Sequence, residues 1–150
     1  MNHDELISFY EKRRSNYAAQ FTSINKKIYL ISNLRLATAL ASLVFIYFTF
    51  TNASFFYAAL PLLVTFALLV RRHSKLFSEK IHLENLITIH KHELQGLTGD
   101  ISCFMNGSEF IDLHHPYTHD LDIFGDVSLF QSVNRCNTLQ GKKELANRLS

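Results

Sequence analysis

Apolar and polar positions change their spacing several times along this chain, and each spacing predicts a different kind of element. Over residues 4–31 the apolar and aromatic side chains fall at Leu6, Tyr10, Tyr17, Phe21, Ile24, Ile28 and Ile31, mostly three or four apart. That is one face of an α-helix. No Pro or Gly interrupts the run. It leads into a second pattern, from Leu36 to Val70, in which there is no Asp, Glu, Lys or Arg. Over residues 72–97 one-sided spacing returns with Leu76, Leu83, Ile87, Leu94 and Leu97, and Gly96 and Gly99 are expected to end that helix. Gly99, Asn106-Gly107-Ser108 and His115-Pro116 are then turn signals. Between them Phe110-Ile111-Asp112-Leu113 and the alternating Asp120-Leu121-Asp122-Ile123-Phe124 predict two short strands.

The charge-free stretch is too long for one membrane span, since a bilayer core takes about 20 apolar residues per helix. It divides at Thr51-Asn52-Ala53-Ser54 into spans over about 33–50 and 55–70. Arg35 sits where a long cationic side chain can snorkel to the interface. Pro61 falls inside the second span, where membrane helices tolerate proline. Tyr47 and Tyr57 lie near the loop, as interfacial aromatics do. A cleaved signal would be a single apolar run close to the N-terminus. A buried soluble hairpin would show a polar face. Arg13, Arg14, Lys26, Lys27 and Arg35 precede the first span, Arg71, Arg72 and Lys75 follow the second, and the loop is uncharged. The positive-inside rule then puts both termini in the cytoplasm of a multi-pass protein of the inner membrane. The flanking cytoplasmic helices must run antiparallel. Their apolar faces either pack on each other, because such a helix needs a partner in water, or form the seam of a homodimer.

Two more helices close the pattern. Ser128-Leu129-Phe130-Gln131 has the form of a capping box. Thr138 is a plausible N-cap for a last helix carrying Leu145, Ala146 and Leu149 on one side. Gly141 is costly there unless something approaches it closely. The chain stops within this helical pattern, as a fragment would.

The string His115-Pro116-Tyr117-Thr118-His119-Asp120-Leu121-Asp122-Ile123-Phe124-Gly125, followed by Ser128-Leu129-Phe130, resembles the start of the core domain in membrane-anchored relatives of the MutS DNA mismatch-repair ATPases. The spacing of Thr138, Gly141, Leu145 and Leu149 is similar to a wider MutS signature. The two-span hairpin agrees with the membrane branch of that family. The motif match covers about the last forty residues. The fold class expected is mainly α: a transmembrane helical hairpin extended by long antiparallel cytoplasmic helices, then a partly extended segment leading into a helical core (lever) region. The modules are residues 1–31 (cytoplasmic helix), 32–71 (hairpin), 72–97 (cytoplasmic helix), 98–127 (connector) and 128–150 (start of the core). The resemblance gives His115, Pro116, Tyr117, Asp120, Asp122, Phe124, Gly125, Ser128, Leu129, Phe130, Thr138, Gly141 and Leu145 a structural part. It implies ATP and Mg only for a C-terminal domain outside these residues, and DNA only as a partner of the full-length protein. No mismatch-reading N-terminal domain is visible.

Composition adds limits. The mean hydropathy of +0.03 averages over a strong segregation. Residues 100–127 hold six acids and no Lys or Arg, whereas residues 128–150 hold four cations and one acid. A net charge of +2 gives no general argument for nucleic acid. Lys142, Lys143 and Arg148 offer only modest attraction to phosphate. Gly141-Lys142-Lys143 lacks the upstream glycine and the hydroxyl of a phosphate-cradling loop, so it reads as a solvated helix face. Cys103 and Cys136 form no CxxC pair; a disulfide and two reduced thiols both fit. The densest polar cluster is His114, His115, His119, Asp120 and Asp122, a weak candidate set for Zn or Fe because no helical ligand spacing accompanies it. His90 lies on an apolar stripe, where packing is the ordinary role, and nothing in the sequence argues for a catalytic nucleophile with a base.

Overall fold

In this computed structural model the described residues are 2–49, 56–112, 117, 118 and 120–150. They form α1 (His3–Thr49), α2 (Phe56–Leu97), a 3-10 turn at Ser108–Phe110, α3 (Leu129–Val133) and α4 (Leu139–Leu149). The protein is mainly helical, and no strand occurs among the described residues. The chain divides into two units: residues 13–87, and residues 1–12 with 88–150.

The first unit consists of the greater parts of α1 and α2. Tyr17, Phe21, Ile24, Ile28 and Ile31 are all half-buried, as the three-and-four spacing requires, while the charged residues between them are exposed. Lys80 of α2 donates from Nζ to Asn25 Oδ1 of α1 at 3.1 Å and lies 5.4 Å from the Phe21 ring centroid. Leu83 is buried. Pro61 has no N–H to give to the preceding turn, yet α2 continues through it. The loop expected at Thr51–Ser54 lies outside the described residues.

The second unit has a small aromatic centre. Phe130 is fully buried, with its ring 5.6 Å from that of Phe110 and 5.5 Å from that of Phe124. Gly107 sits beneath it with φ 69°; a Cβ there would lie 2.5 Å from Phe130 Cδ1. Only glycine meets both demands at low cost. Ile123 and Ala146 are buried as well.

The capping pattern forms with one difference. Ser128 Oγ accepts from the Gln131 N–H at 3.2 Å, starting α3. Gln131 Oε1 reaches back one residue further than the usual box, to the Val127 N–H at 2.7 Å. Val127 holds φ 58°, a costly state for a β-branched residue, and this hydrogen bond helps keep it there. Thr138 caps α4 by accepting from the Gly141 N–H at 3.1 Å. A Cβ on Gly141 would lie 3.0 Å from that same hydroxyl oxygen, which is the close approach that favours glycine there.

The two expected strands are not formed. Phe110 closes a 3-10 turn, and Leu113 lies outside the described residues. Asp120–Phe124 is a turn region: Leu121 N–H bonds to Tyr117 O, Ile123 N–H bonds to Thr118 O, and Asp122 has φ 47°. Alternation there is only apparent, since Leu121 is 63% exposed and Ile123 6%. The carbonyls of residues 104–106 are satisfied without a neighbouring strand. Gln131 Nε2 donates to Phe104 O at 2.9 Å, Asn134 Nδ2 to Met105 O at 3.3 Å, and Gly125 N to Asn106 O at 2.9 Å. At the other expected boundary, Gly99 with φ 91° follows the end of α2, whereas Gly96 stays inside it.

Candidate functional site

Two regions carry features beyond packing. The first is the apolar belt of the residue 13–87 unit. Leu36, Leu43 and Tyr47 of α1 are 62%, 63% and 68% exposed, and Leu60, Val64 and Leu68 of α2 are exposed as well. The most apolar 18-residue window of α1 is 6% buried, the reverse of a soluble protein's core helix. Among the described residues one helix, α1, is long and apolar enough to cross a membrane. Water-soluble monomers rarely expose a continuous apolar surface of this kind.

The hydroxyls of the belt point to the same environment. Thr38 Oγ1 donates to Arg35 O, Ser42 Oγ to Ala39 O, Thr49 Oγ1 to Phe45 O and Thr65 Oγ1 to Pro61 O, at 2.8–2.9 Å. These are the described Ser and Thr residues between Leu36 and Val70. Each hands its proton to its own helix, so none of these four donors needs water.

The second region is a cleft of about 280 Å³ in the other unit, lined by His92, Glu93, Cys103, Phe104, Arg135 and Cys136 among others. Its centre is Arg135. The Nε donates to Glu93 Oε1 at 2.8 Å, Nη1 donates to Ser132 O and Asn134 O at 3.0 Å, and the guanidinium stacks 3.6 Å from the Phe104 ring centroid. Asn134 is buried and its Oδ1 accepts from the Cys136 N–H at 2.9 Å, fixing the turn that presents Arg135. Both cysteines are free thiols. Burial pushes the Cys103 thiol above its usual pKa, and its Sγ lies 3.8 Å from His92 O. Arg135 acts here as a clasp: its bond to Glu93 and its stacking on Phe104 fasten residues 101–106 to the end of α2. Asp100 beside it is held below the ordinary carboxylate pKa, first by the Ser102 hydroxyl, then by the Ser102 N–H, with Gln95 contributing least.

The residues singled out by sequence fall mainly into the framework. Phe124, Gly125, Ser128, Phe130, Thr138 and Gly141 are core, turn or cap positions as described above. Leu145 is half-buried and Leu129 exposed. The Tyr117 hydroxyl donates to Ser150 O. Asp120 and Asp122 are exposed. His114, His115, Pro116 and His119 lie outside the described residues, so the histidine cluster is not built. Among the described residues no group of three or more His, Cys, Asp or Glu side chains is brought together. His90 is buried edge-on against Tyr10, with ring centroids 5.6 Å apart. Sequence reasoning marked Asn106 as a turn residue but gave no role to Asn134 and Arg135; the one available signal was an Asn two residues before Cys136, a spacing that suits an Asx turn. Comparison with protein-family models, with curated proteins and with solved structures finds no match.

Proposed function

We propose that this chain is a membrane anchor that holds a small folded module against the cytoplasmic face of the inner membrane. The observation that carries the reading is the charge-free, solvent-exposed apolar belt of α1 and α2 with its self-satisfied hydroxyls. In this reading both helices cross, the turn at Thr51–Ser54 lies outside, and both termini are cytoplasmic, because the cations flank the belt and the turn has none. The uncharged part of α2 that is described, Phe56–Val70, spans roughly 22 Å at 1.5 Å per residue. Spans this short match a hydrocarbon core of about 30 Å only with local thinning or snorkelling of Arg35, Arg71 and Arg72.

The resemblance to membrane-anchored MutS relatives extends the proposal. The capped α3–α4 module would begin the core of an ATPase whose ATP and Mg site lies in further sequence, with DNA as a partner of the whole protein. The string His115–Gly125 with Ser128–Phe130, and the spacing of Thr138, Gly141, Leu145 and Leu149, support this extension. A second reading, a small interaction module, is favoured by Phe77 and Ile81, which are exposed on α2 outside the belt, where a second copy could dock.

Alkaline carbonate extraction of membranes from cells making the full chain tests the anchor. Retention in the pellet is expected, and release into the supernatant would overturn it. The ATPase extension is tested on the gene: coding sequence with a G-x-x-x-x-G-K-[ST] loop after a predicted strand supports it. A crosslinked dimer lost in Phe77→Ser/Ile81→Ser would favour the interaction module.

A further inference from the structure

No Asp or Glu lies between Glu11 and Glu79, yet Lys26, Lys27 and Arg35 of α1 and Arg71, Arg72 and Lys75 of α2 fall in that interval. Lys26, Lys27, Arg71, Arg72 and Lys75 are exposed, and no ion pair among the described residues engages them. The unit thus carries one sign of charge on either side of its apolar belt, with Arg35, Arg71, Arg72 and Lys75 nearest to it. The Lys80–Asn25 hydrogen bond sets the level of the two helices. From it, Arg35 lies roughly 15 Å along α1 and Arg71 roughly 14 Å back along α2, at 1.5 Å per residue. In an antiparallel pair these two stand at one height, with Lys75 just below.

We propose that Arg35, Arg71, Arg72 and Lys75 form a collar that selects anionic phospholipid headgroups around the anchor. The proposal rests on the membrane reading above and adds the chemistry of the lipid. Its physical basis is charge complementarity at the height where the apolar belt ends. A cation at an anionic membrane surface contributes a factor of roughly five in affinity, and the effect is screened by salt. Positions on both helices surround the anchor, so the selection falls on its first layer of lipid. Nucleic acid would meet the same cations, but their position beside the belt puts the headgroup layer nearer.

The test uses the full chain solubilised in mixed micelles of dodecyl maltoside with equal amounts of phosphatidylcholine and phosphatidylglycerol. The lipid that copurifies is quantified by mass spectrometry. The expected result is several-fold enrichment of phosphatidylglycerol at 50 mM NaCl, falling toward the bulk ratio at 500 mM. Arg71→Gln/Arg72→Gln/Lys75→Gln should lose most of it. Arg71→Lys/Arg72→Lys should keep it, and so should Lys142→Gln/Lys143→Gln, which removes charge far along the sequence. A bulk ratio in the unaltered chain, or an equal loss in the Lys142/Lys143 variant, overturns the collar. Binding of a labelled DNA duplex that needs Arg71, Arg72 and Lys75, without lipid enrichment, overturns it in favour of nucleic acid. Carbonate extraction separates the two failures: a chain retained in the membrane without enrichment loses the collar alone, and a released chain loses the anchor.

Discussion

Replacing Phe130 by alanine removes the one large side chain that is wholly buried among the described residues of the C-terminal module. The ring packs against Phe110 and Phe124 at 5.5–5.6 Å and covers Gly107. Truncating such a phenylalanine costs about 3–5 kcal/mol, from lost transfer energy together with the cavity left behind. The cavity cannot close cheaply, because two of its walls are rings and the third is a glycine turn fixed at φ 69°. Set against a typical domain stability of about 5–15 kcal/mol, that leaves the module close to local unfolding. Hydrogen exchange by mass spectrometry on the full chain in detergent reads this directly. Peptides from residues 104–134 should lose protection by roughly two to four orders of magnitude, the exchange equivalent of that energy. Peptides from residues 56–80, in the other unit, should keep theirs. Unchanged exchange over 104–134 would refute the assignment of Phe130 as the centre. Equal loss in both segments would refute the division into separately stabilised units.

Other outcomes follow from single contacts. Ser128→Ala and Thr138→Ala each remove an N-cap and should destabilise the module by about 1–2 kcal/mol in denaturant melts, with Ser128 the larger because it is buried. Gly107→Ala should cost about 2–4 kcal/mol, from its left-handed backbone plus the ring it would strike. Gly99→Ala has φ 91° but nothing within 4 Å, so it should cost about 1–2 kcal/mol; equal costs would show that the Phe130 contact is immaterial. Asp100 has a depressed folded pKa, so its hold on Ser102 is present above the unfolded value and lost as pH falls through the folded one. The Ser102 amide shift in an NMR titration should therefore move with a midpoint below 3.8, and a midpoint at or above that value contradicts the assigned hydrogen bonds.

Long helices and their caps were legible in the sequence because their signals are local. Every position of α1 that the three-and-four spacing marks is half-buried, and Ser128, Thr138 and Gly141 take the roles their neighbours dictate. The strands were misread because a polar–apolar alternation says nothing about whether a partner strand exists. Residues 104–106 have their carbonyls met by Gln131, Asn134 and Gly125, more than 18 residues away in sequence. Arg135 was invisible for a similar reason: Glu93 and Phe104 acquire meaning for it only once the chain has folded back. Gln131 was recognised as a capping residue, but its second bond, to Phe104 O, is tertiary.

In the proposed topology both helices cross a membrane and return the chain to the side it came from. Single cysteines at Asn2, Ala53 and Arg148, in a chain whose Cys103 and Cys136 are replaced by serine, can be probed with a membrane-impermeant maleimide on sealed vesicles of known orientation. In that topology Asn2→Cys and Arg148→Cys react only from the cytoplasmic side and Ala53→Cys only from the opposite side. Termini that react from opposite sides, or all three positions reacting from one side, would contradict it.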